Sequence, residues 1–199
     1  EDYVRIVVAA ARKYYAENGG VKPLKLFIND YNLESTWDDN KKAKSLVHWI
    51  EKWESDGVTK IDGIGTQMHV TYNADAAKKQ KQEEHVVKMF EILAKSGKLV
   101  KVSELDMGYV DESGTVVLTK DMTEEQHKAM AEYYKFIVKK YFEIIPVAQQ
   151  YGITQWCAPD APGAPGDSNW RGGEPVGLWD SNYNRKHTYA GFADGLAGK

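Results

Sequence analysis

The sequence predicts an α/β fold of parallel strands joined by crossover helices, and three observations lead there. Four short apolar runs are separated by long stretches of helical periodicity. The strand midpoints Phe27, Thr66 and Ser103 fall roughly 37–39 residues apart, enough for a whole helix between consecutive strands. Polar residues crowd the C-terminal ends of the runs, where barrel enzymes build their sites. This rhythm fits either an open doubly wound sheet or a (β/α)8 TIM barrel. No Gly-rich dinucleotide or phosphate loop follows any strand, which counts against a doubly wound nucleotide binder.

The chain opens at helical period over residues 3–16. The first strand is read at 24–31 (LKLFINDY), ending on Asn29, Asp30, Tyr31 and Asn32. A helix follows over 40–56, with Leu46, Trp49, Ile50 and Trp53 on one stripe and a stop at Gly57. The second strand is read at 61–70 (IDGIGTQMHV), the next helix at 74–96, the third strand at 99–107 (LVKVSELDM). Thr123 and Gln126 have the spacing of a capping box, so a long helix is read from there to about residue 150. The fourth strand is read at 152–157 (GITQWC) and a last helix at 186–196. Four strands cannot close a small barrel, and a free half leaves two unpaired edges. With a helix at the very start, the expectation is that preceding strands are missing and that residues 1–199 form the C-terminal half of one domain.

Composition narrows the function classes. The 199 residues are 42% hydrophobic with a formal charge of −3, and mean hydropathy is −0.56, values of a soluble globular chain. No apolar run approaches the ~18–20 residues of a membrane span, and no basic face suggests a nucleic-acid partner. A single cysteine, Cys157, excludes an intrachain disulfide and leaves the compartment open. Six tryptophans and 12 tyrosines supply either core packing or a cleft for flat, hydroxylated ligands.

The strand ends carry the candidate chemistry. Residues two apart in a strand share a face, so Glu104 and Asp106 are expected to point together, as are Gln67 and His69. A histidine between two carboxylates can donate to both, and such donors favour the charged form a nucleophile needs. His48, His85, His127 and His187 lie on helical stretches without metal-site spacing. Met68, Met89, Met107, Met122 and Met130 are read as packing residues, and the run Lys78-Lys79-Gln80-Lys81 as a solvated helix face.

Four segments together carry a family resemblance. LFINDYN (26–32), DGIGTQMHV (62–70), VSELDMG (102–108) and GITQWCAPD…SNWRGGEPVGLWDSNYNRKHTY, ending at Tyr189, resemble family 10 glycoside hydrolases. These are mainly endo-β-1,4-xylanases on a (β/α)8 barrel. The resemblance spans essentially the whole chain, keeps the motif order and aligns with strands five to eight and the helix before them. It implies Glu104 as catalytic nucleophile, His69 as the histidine bonded to it and Asp106 as the acidic partner. It also implies Gln67 as a polar lining of the cleft, Trp156 and Trp170 as walls of the glycone side, and Tyr31 and Asn32 on the aglycone side. The family's acid/base glutamate lies at the end of strand four, ahead of this chain. Glu34, Asp30 and Asp160 are the strand-end acids nearest to replacing it. Nothing in their sequence context raises a carboxyl pKa, so none is expected to. The loop over 158–169 (APDAPGAPGDSN) is longer and richer in Pro and Gly than expected between the two tryptophans. The implied partners are xylan or xylo-oligosaccharide and the N-terminal half of the same barrel. No metal or cofactor is implied, and the implied location is secreted, periplasmic or cell-surface.

Overall fold

β1 (Phe27–Asp30) and β2 (Gly63–Thr66) pair in parallel, and β2 in turn pairs with the first part of β4 (Leu99–Val110). The computed structural model describes residues 2–199. The far half of β4 pairs with β3 (His69–Asn73), and β5 (Gln150–Gln155) runs along the other side of β4. All ladders are parallel, and helices α1 (Asp2–Glu17), α2 (Lys41–Glu54), α3 (Ala76–Lys95), α4 (Glu124–Ile144) and α5 (His187–Leu196) intervene. The sheet curls until Phe27 of β1 and Tyr151 of β5, on opposite edges, bring their rings to 4.7 Å.

Two expectations are corrected here. The second predicted strand is two: it breaks at Gln67 and Met68, where Met68 takes a left-handed backbone (φ 61°) and drives its fully buried side chain into the core. Both pieces still ladder along the same side of β4, so the barrel-like order is kept. The long helix ends at Ile144, because Pro146 cannot continue it, and a short 3-10 turn leads into β5 two residues earlier than read from the sequence.

Side-chain period explains the layers. Ile64, Val100, Val102 and Leu105 are fully buried among Met89, Phe90 and Leu93 of α3 and Ile137 and Tyr141 of α4. Met68, Met89, Met107 and Met130 are likewise fully buried, and Met122 packs at the edge of this core. α4 starts at the expected capping box, with Thr123 Oγ1 accepting from the Gln126 amide and Gln126 Oε1 from the Thr123 amide. α5 lies close on α4 because Gly191 has no side chain. A Cβ there would sit 2.0 Å from the Ala131 carbonyl oxygen.

The buried Tyr141 hydroxyl fastens β5 to the core. It donates to the Val100 carbonyl at 2.7 Å and accepts from the amides of Tyr151 and Gly152 at 2.9 and 3.0 Å. Tyr141→Phe keeps the ring and strands three backbone groups, so the expected loss is about 1–3 kcal/mol of unfolding free energy, read from urea denaturation.

Candidate active site

The break between β2 and β3 lies opposite an extra residue in β4, whose register to β5 shifts between Val102 and Leu105. That irregularity turns Ser103 and Glu104 toward the concave face, where both meet Asn29 of β1. Ser103 Oγ donates to Asn29 Oδ1 at 2.7 Å, which orients the amide so that Nδ2 donates to Glu104 Oε1 at 3.2 Å. The other Glu104 oxygen faces His69 Nε2 at 3.3 Å. Each carboxylate oxygen of Glu104 therefore has one partner from a neighbouring strand.

His69 is held from behind. Its Nδ1 lies 3.1 Å from Oδ2 of the fully buried Asp106. Asp106 is met from two further directions, by Trp170 Nε1 at 2.6 Å on the same oxygen and by Arg171 Nη1 at 3.1 Å on the other. Burial pushes the Asp106 carboxyl above its ordinary range, opposed by Arg171, the Trp170 N–H and His69. Arg171 also donates to the Val70 carbonyl and Thr71 Oγ1 and pairs with Glu174. It thereby bolts the loop after β5 across β3 and β4.

The aromatic residues named from sequence surround this cluster. The Trp170 ring lies 4.7 Å and the Trp156 ring 6.1 Å from that of His69, both indoles nearly half exposed. A cavity of about 530 Å³ is lined by Tyr31, Asn32, Gln67, His69, Thr71, Trp170 and Arg171. Gln67 and His69 thus reach one cavity although the strand between them is broken. Tyr31 is held by Lys42, whose ammonium lies 3.6 Å from its ring centroid and 2.8 Å from Asp30.

From sequence, Asn29 counts only among the polar strand-end residues, and Ser103, Arg171 and Glu174 carry no role. Gly108 was the available signal for Arg171, since a glycine inside a strand marks a close approach. A Cβ at Gly108 would lie 1.9 Å from Arg171 Nη2. Glu34 requires a correction. Burial raises its carboxyl above the ordinary range and leaves Oε2 without a hydrogen-bond partner, because the loop after β1 folds onto α3. Asn40 secures that fold by donating to the carbonyls of Leu33 and His85. Among the described residues, no group of three or more His, Cys, Asp or Glu side chains is placed to hold a metal ion, and no helix is long and apolar enough to cross a membrane.

Gly108→Ala is expected to displace Arg171 and strand the Asp106 carboxyl, lowering stability by about 3–5 kcal/mol. Arg171→Lys should recover little of Arg171's role, because an ammonium cannot serve Asp106, Val70, Thr71 and Glu174 together. Urea unfolding of the two variants checks both outcomes.

The chain is similar to known proteins over nearly its whole length. A family model, Glycosyl hydrolase family 10, matches residues 1–195. Endo-beta-1,4-xylanase Xyn10C of Cellvibrio japonicus is 29% identical over 187 residues, covering 87% of this chain and 28% of that protein. Exoglucanase XynX of Acetivibrio thermocellus is 29% identical over 175 residues, covering 86% of this chain and 13% of that protein. Among solved structures, Xyn10C in complex with xylopentaose matches with a TM-score of 0.69 at 26% identity, covering 94% of this chain and 39% of that one. A thermostable Xyn10A from the same organism matches with a TM-score of 0.75 at 23% identity, covering 98% of this chain and 55% of that one. The parallel sheet with its outer helices is accordingly part of a (β/α)8 barrel, and the chain belongs to glycosyl hydrolase family 10.

Proposed function

We propose that this chain supplies the nucleophile half of a retaining endo-β-1,4-xylanase. The observation that carries the reading is Glu104, at the register shift of β4 just past its ladder with β2, with one oxygen on Asn29, the other on His69, and exposed indoles nearby. Such a carboxylate is aimed rather than free to rotate, and it faces a cleft suited to a flat sugar ring.

In the proposed reaction a xylan chain lies across the aromatic walls with Trp156 and Trp170 on the glycone side. Tyr31 and Asn32 lie on the aglycone side, and Gln67 reads hydroxyls near the reacting sugar. Glu104 forms an ester to the anomeric carbon as the glycosidic C–O bond breaks, and a second carboxyl gives its proton to the leaving oxygen. That second group then takes a proton from water, which cleaves the ester with retained configuration. His69, backed by Asp106, fixes the position of Glu104.

Retaining chemistry needs the second carboxyl ~5–5.5 Å from the first. We assign it to the strands that complete the barrel ahead of β1. Support comes from Tyr3, Ile6 and Val7, which stand exposed on α1, and from β1, paired on one side only among the described residues. Residues 1–199 then form the C-terminal half of one catalytic domain. We place the activity outside the cytoplasm, as a secreted, periplasmic or cell-surface enzyme acting where the polymer lies.

The likeness to an exoglucanase gives a second reading specific support: the same nucleophile acting on a β-glucan. Initial rates on xylan and on cello-oligosaccharides separate the two. For the catalytic domain containing this chain, Glu104→Ala is expected to lower kcat on xylan by roughly four orders of magnitude or more while leaving the unfolding midpoint within the wild-type range. A 2-fluoro xyloside should label the peptide carrying Glu104, read by mass spectrometry. Wild-type activity in the variant defeats the assignment.

A further inference from the structure

Three side chains on the concave face form one hydrogen-bonded row, from Ser103 through Asn29 to Glu104. Asn29, the middle member, is exposed, so close packing does not set the rotation of its amide. A floor and two hydrogen bonds set it instead. Asn29 pairs in register with Gly65 of β2, and a Cβ at Gly65 would stand 2.3 Å from Asn29 Oδ1 and 3.1 Å from Cγ. The amide thus occupies space that any side chain at position 65 would contest. At one end Oδ1 accepts from Ser103 Oγ at 2.7 Å, and at the other Nδ2 donates to Glu104 Oε1 at 3.2 Å.

The two ends of an amide have nearly the same shape and opposite polarity. Turned end for end, Asn29 would aim a carbonyl oxygen at a carboxylate, and neither group has a hydrogen to give. A hydroxyl can donate where a carboxylate cannot, so the row satisfies every member in one sense only, with Ser103 as first donor. We propose that Ser103 is a positioning residue for the nucleophile: acting through Asn29, its hydroxyl keeps the amide N–H on Glu104 Oε1 and holds the carboxylate at its angle of attack. The inference rests on the reading of Glu104 as nucleophile, and it gives Gly65 the task of leaving room for the amide. When the row is broken His69 still meets the other oxygen. The effect of losing Ser103 is therefore that of one neutral hydrogen bond, about three- to tenfold in rate. It falls on the attack rather than on substrate affinity, because the row aims a group and does not grip the sugar.

The test uses the catalytic domain containing this chain and follows, by mass spectrometry, the rate at which a 2-fluoro xyloside with an activated leaving group labels Glu104. Such a leaving group departs with little help from an acid, so the rate reports the attack. Ser103→Ala, confirmed folded by its unfolding midpoint, is expected to lower the maximal labelling rate about three- to tenfold. The half-saturating concentration of the reagent should stay within about twofold of the wild type. Ser103→Thr keeps the hydroxyl and is expected to restore the rate. Gly65→Ala crowds the same amide from the β2 side and should slow labelling in the same way. In an Asn29→Ala background, Ser103→Ala should change the rate by less than about twofold, because its route to Glu104 is gone. A wild-type labelling rate in both Ser103→Ala and Gly65→Ala, or the full loss persisting without Asn29, overturns the positioning role and leaves the nucleophile standing. Absence of label on Glu104 in the wild type overturns the nucleophile reading and the positioning role with it.

Discussion

A carboxyl that no solvent reaches, Asp106, sets the terms for everything near it. Burial of an unmet charge is costly enough that a protein either neutralises it or surrounds it with donors. Here the surroundings are three side chains from two separate pieces of chain: His69 from β3, Trp170 and Arg171 from the loop after β5. Each of those three does a second task. His69 meets Glu104, Trp170 presents its face to the cleft, and Arg171 ties β3 through the Val70 carbonyl and Thr71. The requirement to satisfy one buried group thus fixes the histidine, one aromatic wall of the cleft and the anchorage of a long loop together.

The backbone makes this convergence possible through paired irregularities. Alternation itself sends Gln67 and His69 to one cavity and Met68 into the core, and it survives the break between β2 and β3. The left-handed backbone at Met68, costing a non-glycine residue roughly 1–2 kcal/mol, falls at that break. In β4 the register shift suspends alternation, so that adjacent Ser103 and Glu104 both reach Asn29. Bulges beside sites commonly re-aim side chains in this way. The fully buried packing of Met68 and the flanking ladders to β4 hold the strained residue in place.

How much of this was legible in the sequence follows from how local each feature is. Helical periodicity, the capping box at Thr123 and the apolar strand runs are short-range signals, and the structure follows them. The left-handed backbone at Met68 left no trace, since methionine has no left-handed preference. The proximity of His69 to Glu104 and Asp106 could be anticipated because all three sit at neighbouring strand ends. Arg171 could not, because its partnership with Asp106 spans 65 positions and follows a loop of Pro and Gly that carries no periodicity. Glu34 was misread for a related reason. Nothing in its sequence context raises a carboxyl pKa, yet Asn40 secures its loop on α3, which removes water from the carboxyl.

Strands and loops divide the work of the cleft unequally. Both contacts that aim Glu104 come from strand residues, Asn29 and His69, whose positions are fixed by ladders on rigid neighbours. The exposed aromatics Trp37, Trp156 and Trp170 sit on segments that follow strands, where sequence can vary without disturbing the sheet. Such a partition lets the loops vary while Glu104 keeps its place. Trp170 is the exception that couples the two layers. Its N–H reaches the buried Asp106 while its ring stays half in solvent. One carboxyl and one imidazole thus link that ring to Glu104.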